Sequence, residues 1–227
     1  MGKWIIENIK YIKKSIVDII YDEDEDVCLN CGKLISSTFL CMQCRNSIII
    51  PKEKYNITRD NITIEIYSSA YYSSVIKNLI ISLKYKNNFL CGEFLNILMT
   101  ECINNWAIKN IDIITYVPMS IKDINKRGFN QSKYLAILLG NSLNIKVKDL
   151  LNKTVQGTKQ KTLNEEERWE NAKNSYEFSK KFNIKDKNIL LVDDVMTTGA
   201  TVFYCSLKLI NEGAKRVTVL TVAKSRI

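Results

Sequence analysis

The chain of 227 residues contains no histidine. Imidazole is therefore excluded as a general base, and cysteine is left to supply the soft donors of any metal site. Proline occurs only 2 times and glycine 8 times, while isoleucine, lysine and asparagine are heavily used, which reads as the codon bias of an AT-rich genome rather than as function. Long apolar runs are missing as well. The first segment, WIIENIKYIKKSIVDII, is interrupted by Glu7, Lys10, Lys13 and Lys14. It lacks the apolar core of a signal peptide and cannot cross a bilayer. A cytoplasmic chain with no membrane span is the expectation, and there the Asn-x-Thr triplets at Asn56 and Asn61 have no glycan to accept. Ile5, Ile9, Ile12, Ile16 and Ile19 recur at helical spacing and give one greasy face. That face is expected to pack on the rest of the protein, with a membrane surface or a partner helix as the alternative.

What is present starts with charge. The net charge is +9 although five acids crowd into 22–26, so the remaining body is more basic still. Such a body suits polyanions: phosphates, pyrophosphate or nucleic acid. The acidic run itself reads as a solvated spacer, because contiguous acids cannot all converge on one ion. Apolar content of 46% with 25% charged residues is that of a globular chain able to bury a core.

Elements can be read from residue 62, and strands alternate with helices from about residue 75 onward. ITIEIYSSAY (62–71) reads as a strand, and SSVIKNLIISLKYK as a helix with Val75, Ile76, Leu79, Ile80 and Leu83 on one face. A helix over 89–108, a buried strand over 111–118, a helix over 132–143 and a strand over 145–151 follow. A polar loop spans 152–168. The chain then gives a strand at 188–193, a helix from about Thr201 to Asn211 ended by Gly213, and a last strand at 216–223. Strands that alternate with helices imply an α/β fold, a parallel sheet flanked by helices. The expected organisation is an amphipathic helix and acidic spacer (1–26), a four-cysteine module (27–50) and one α/β domain (51–227).

Cys28, Cys31, Cys41 and Cys44 form two C-x2-C pairs nine residues apart. Each pair sits on a short turn, so two turns can direct four thiolates at one ion, and Gly32 permits the tight backbone. Structural zinc is the expectation, since four protein ligands leave no open position for chemistry. A disulfide framework fits poorly with 7 cysteines and no sign of secretion. Cys91, Cys102 and Cys205 lie in helices and read as buried apolar residues.

The apolar run NILLV (188–192) leads into Asp193 and Asp194, then Val195, Met196, Thr197, Thr198, Gly199, Ala200 and Thr201. The acids are expected at the strand's carboxyl end, where open α/β sheets bind ligands. The small residues let backbone N–H groups approach an anion at the start of the next helix, and the threonine hydroxyls add donors. Paired carboxylates would repel a phosphate if they faced it. They make sense facing vicinal hydroxyls or a magnesium ion, and a ribose 5-phosphate satisfies both ends. A P-loop is excluded, because no Gly-Lys-Ser/Thr follows.

ILLVDDVMTTGAT (189–201) resembles the thirteen-residue motif with which type I phosphoribosyltransferases bind phosphoribosyl pyrophosphate (PRPP). The resemblance implies that Asp193 and Asp194 hold the ribose 2′ and 3′ hydroxyls and that 197–201 cradle the 5-phosphate. LKYK (83–86), VPMSIKDINKRGFNQS (117–132) and TKQKTLNEEERWENAKNSYEF (158–178), in this order with the four cysteines, are similar to the ComF family of bacterial competence-associated proteins, ComFC type. By that resemblance Pro118, Met119 and Ser120 hold pyrophosphate through their backbone. Lys84, Arg127, Lys159 and Lys161 become candidate cations, and Gln160, Leu163 and Arg168 belong to a loop closing over the site. Magnesium is the implied second cofactor. Partners would be PRPP or a related phosphoribosyl compound, single-stranded DNA, and other competence proteins. A non-catalytic DNA-handling protein and a nucleotide-salvage phosphoribosyltransferase are the alternatives. No residue is evidently placed as a general base toward an acceptor.

Overall fold

The computed structural model describes residues 27–36, 39–154 and 165–225. The expected N-terminal helix and acidic run lie outside these residues. The chain divides into two compact units, Met1–Ser47 and Ile48–Ile227. In the first, an antiparallel bridge joins Val27 to Leu34, and a short helix, α1, spans Met42–Asn46.

The second unit is built on a five-stranded sheet. Its strands are β1 (Tyr55–Arg59), β2 (Ile62–Tyr71), β3 (Ile113–Tyr116), β6 (Asn188–Met196) and β7 (Arg216–Lys224), in spatial order β1-β2-β7-β6-β3. Only β1 runs antiparallel. Asp60 and Asn61, both with positive φ, make the two-residue turn between β1 and β2 that suits a twisted hairpin. The inner strands are rich in Ile, Val and Leu because both of their faces are covered. Two small strands, β4 (Leu151–Lys153) and β5 (Tyr176–Phe178), pair separately.

Helix α3 (Phe89–Asn105) packs on β2 and β7 and against α2 (Ser74–Lys86), while α5 (Gln131–Leu143) packs on β3 and β6. Helix α7 (Ala200–Asn211) packs on β6 and β7 and carries β5 and α6 (Glu165–Lys173) outside it. Its Val202, Phe203, Cys205 and Leu209 join Leu191, Met196 and Val219 in one core cluster. Helix α4 (Ile121–Arg127) has no buried residue, which is why no apolar period announces it.

The α/β architecture with a mainly parallel, helix-flanked sheet is as the sequence implies. Two local readings are corrected. The expected strand over 145–151 is only a single bridge, Val147 to Ile114; two backbone hydrogen bonds dock 146–148 on the free edge of β3 before the chain leaves. The polar stretch 152–168 is not one loop either, because β4 and α6 occupy its two ends. No helix of the described residues is long and apolar enough to cross a membrane.

Candidate functional site

Strand β6 outruns its neighbour. Its pairing with β3 ends at Val192, where the Val117 N–H donates to the Val192 carbonyl (3.0 Å), while its pairing with β7 continues to Met196. The sequence reading ended this strand at the acids; β6 instead runs on to Met196, so Asp193 and Asp194 lie inside it. They are still beyond the end of β3, where Pro118, Met119 and Ser120 turn away into α4.

Both aspartates are buried, at 8% and 6% exposure. Asp193 Oδ1 accepts from Ser132 Oγ (2.9 Å), at the start of α5, and from the Asp194 N–H (2.9 Å). Asp194 Oδ2 is ion-paired with Lys84 Nζ from the last turn of α2. Burial, with the charge of Asp194, pushes the Asp193 carboxyl up to about 7; the Ser132 hydroxyl and the Asp194 N–H oppose that rise. Two carboxylates thus share one close lysine. Ser132 is the last residue of the 117–132 segment, but nothing in that segment's residue types assigned it a partner.

The residue after Lys84 extends the site. Tyr85, 67% exposed, lies under Arg127: the guanidinium carbon is 5.2 Å from the ring centroid, and Nη2 donates to the Tyr85 hydroxyl at 3.4 Å. Arg127 Nη1 donates to Gln131 Oε1 (2.5 Å) and lies 3.7 Å from Met119 Sδ. One turn of α2 therefore brings Lys84 to Asp194 and Tyr85 to Arg127.

The RGFNQS segment is a joint. Gly128 takes a φ of 90° that ends α4, and Phe129 is buried against Phe89 and Tyr134. Asn130 Oδ1 caps α5 by accepting from the Ser132 and Lys133 N–H groups, and its Nδ2 donates to the Val117 carbonyl (3.1 Å). That last bond ties the loop after β3 to the start of α5. Ser120 caps α4 by accepting from the Asp123 N–H (3.1 Å).

Gly199, at φ 83°, is the N-cap of α7. That φ strains any L side chain, and a Cβ there would also press on Ile57 Cδ1, the movable end of a β1 side chain. Thr197 is exposed and Thr198 half-buried; Thr201 Oγ1 accepts from the Tyr176 hydroxyl at 3.5 Å. Cys205, one turn into α7, is buried, and burial together with Asp193 raises its thiol well above the usual range; it is no nucleophile. Lys159, Gln160, Lys161 and Leu163 fall outside the described residues, and Arg168 is exposed on α6.

In the first unit the sulfurs of Cys28, Cys31, Cys41 and Cys44 all lie within 4.8 Å of one another, with 3.8 Å between Cys31 and Cys41. Tetrahedral zinc with Zn–S bonds of about 2.3 Å needs sulfurs about 3.8 Å apart, so the set fits zinc. The Gly32 N–H donates to the Cys28 carbonyl (2.9 Å) and the Arg45 N–H to the Cys41 carbonyl (3.0 Å), closing the two knuckles. Burial opposes ionisation of Cys28, but the N–H groups of Cys41, Cys31 and Asn30 outweigh it and bring the thiol to about 6. The Asn30 amide favours the Cys44 thiolate, yet burial and the three other cysteines push it up to about 12. Four thiolates in this space need a cation.

The first solved structures similar to the chain are distant from it. PRPP synthetase of Mycobacterium smegmatis has 17% identity and a TM-score of 0.35, over 56% of this chain and 33% of that one. A hypothetical protein of Neisseria gonorrhoeae, solved with bound ppGpp, has 16% and 0.38, over 58% and 65%. A hypoxanthine phosphoribosyltransferase of Staphylococcus aureus has 10% and 0.39, over 60% and 68%. The chain thus spans a third of the synthetase's length. No curated protein matches it. Residues 120–227, which include Arg127, Ser132, both aspartates and the whole of 195–201, match the family model of the phosphoribosyl transferase domain.

Proposed function

We propose that the chain is a PRPP-binding, magnesium-dependent phosphoribosyltransferase-like protein that works in DNA uptake. One observation carries the ribose-phosphate reading. Within the segment that matches the phosphoribosyl transferase model, two buried aspartates on β6 lead directly into a small-residue loop at the start of α7. In this reading the carboxylates of Asp193 and Asp194 accept from the ribose hydroxyls. The N–H groups and hydroxyls of 197–201 receive the 5-phosphate, aided by the helix dipole. The loop after β3, held by Asn130, receives pyrophosphate, with Lys84 and Arg127 as its cations. An acceptor attacks C1 of the sugar, and the C1–O bond breaks with its electron pair leaving on pyrophosphate. The protein's task is to hold the two phosphate-bearing ends and the acceptor in line. The carboxylate oxygens are donors of the type magnesium takes, and the ion would offset the negative charge of pyrophosphate.

Titration calorimetry with PRPP and magnesium tests this. The intact protein should bind, and Asp194→Asn should weaken binding by ~10-fold or more, the order expected for a charge-assisted contact. Absence of binding by the zinc-loaded chain would sink the reading. The place in DNA uptake rests on the ComFC-like order of motifs, and the net charge of +9 is compatible with it. Affinity for a single-stranded oligonucleotide should fall steeply with salt if its phosphates are contacted; a flat response removes the DNA part alone.

A further inference from the structure

The loop 195–201, VMTTGAT, holds no charged side chain and directly follows two carboxylates. Its own donors are backbone N–H groups and hydroxyls, so any full positive charge set against a phosphate dianion there has to come from elsewhere in the fold. Two lysines stand at the loop's two ends. Lys224 ends β7 and is the Cα partner of Met196; the next residue, Ser225, donates its N–H to the Met196 carbonyl (3.0 Å). The Lys224 ammonium lies 3.9 Å from the centroid of the Tyr55 ring. Tyr55 and Ile57 share a face of β1, two residues apart, and Ile57 is the side chain that abuts Gly199. Lys224 is thereby joined to the loop through its backbone, and its ammonium rests on the ring two residues from the side chain that abuts Gly199. At the other end, Lys153 of β4 has its ammonium 5.8 Å from the centroid of Tyr176, whose hydroxyl donates to Thr201.

Neither lysine meets a carboxylate within ion-pair distance among the described residues. Each is steadied by an aromatic ring, which attracts the ammonium without neutralising it. Lys84, by contrast, is held by the Asp194 carboxylate rather than by a ring. A lysine held by a ring keeps its charge for an incoming anion.

We propose that Lys224, with Lys153 at the far end of the loop, is the cationic half of the 5-phosphate subsite. The proposal rests on reading 197–201 as a phosphate loop and adds the source of positive charge, together with a substrate preference. The terminal phosphate would be recognised as a dianion, so a ribose ligand lacking it gains nothing from these lysines.

Calorimetry with ribose 5-phosphate, unphosphorylated ribose and inorganic pyrophosphate, on the intact zinc-loaded chain, tests this. Lys224→Met should weaken ribose 5-phosphate binding by about 10-fold, and Lys153→Met by less, since only Lys224 is also tied to the loop through its strand pairing with Met196. Lys224→Arg should retain most of the affinity, and pyrophosphate binding should be unchanged in all three. Melting curves matching wild type establish that the variants are folded, and Lys224→Gln serves if the methionine variant is not. Equal ribose 5-phosphate binding by wild type and Lys224→Met overturns the lysine assignment and leaves the loop reading intact. Parallel loss of ribose 5-phosphate and pyrophosphate binding also overturns it, because the lysine would then act as general charge. If wild type binds neither ribose 5-phosphate nor PRPP, the loop reading fails and this proposal with it.

Discussion

Asp193 and Asp194 are neighbours in one strand with opposite electrostatic surroundings, and their substitutions should pull stability in opposite directions. Asp193 is lifted to about 7 in the folded chain, against 3.8 for an ordinary aspartate. The folded state therefore keeps a proton that the unfolded chain releases from about pH 4 upward. This group's contribution to stability is fully present below about pH 4 and is lost as pH rises toward 7. Asp193→Asn removes that loss and keeps an oxygen for Ser132 and for the Asp194 N–H. Its melting temperature should exceed that of wild type at pH 7.5, and the difference should vanish near pH 4. Asp194→Asn instead leaves the Lys84 ammonium, whose side chain is 18% exposed, without its partner. It should cost about 2–4 kcal/mol in urea unfolding at pH 7.5. If both variants shift the same way at that pH, this account of the pair is wrong. The sequence made the two acids legible because an apolar run has to end somewhere and a carboxylate pair has no place in a core. It could not reveal Ser132, Tyr85 or the lysine pairing, since these contacts join residues 42 to 110 positions apart through tertiary packing alone.

At the scale of elements, Asn130 joins the end of β3 to the start of α5 with a single side chain. Asn130→Ala should cost about 1–2 kcal/mol as a lost helix cap, with more for the orphaned Val117 carbonyl. Asn130→Asp keeps the acceptors and loses only the donor to Val117, so its urea midpoint should fall between those of wild type and the alanine variant. The cysteine module makes a separate prediction. The purified chain should carry one zinc by elemental analysis, and Cys28→Ser or Cys44→Ser should lose it. These elements were unequally readable. Helices α2, α5 and α7 declare themselves by apolar stripes that cover a sheet or another helix. Helix α4 buries nothing, β1 is an edge strand written YNITR, and β4 and β5 are three residues each, too short for any period to show. Segment 145–151 alternates as a strand should, but the edge of β3 holds it by one bridge only, because the chain must leave to form β4.

For the whole molecule, the sheet's spatial order sets a schedule. β7 lies between β2 and β6, yet it follows every other strand in the chain. Strand β2 is paired on its inner side only by β7, and Ser68 and Thr221, whose hydroxyls meet at 2.8 Å, are 153 positions apart. Until residues 216–224 are available, the hairpin β1–β2 and the pair β3–β6 have no strand to join them. Contacts of such separation close slowly, because the intervening chain must be ordered before they form. During synthesis the Ile- and Leu-rich faces of β2, β6 and α3 would wait for β7, exposed to solvent or to a chaperone. Chains ending before Arg216 should accordingly be captured by a chaperone or aggregate, whereas chains that include residues 216–224 should fold. The strand β7, which pairs beside the two aspartates and ends in Lys224, is thus the keystone of assembly: the aspartate pair takes its place as the sheet closes.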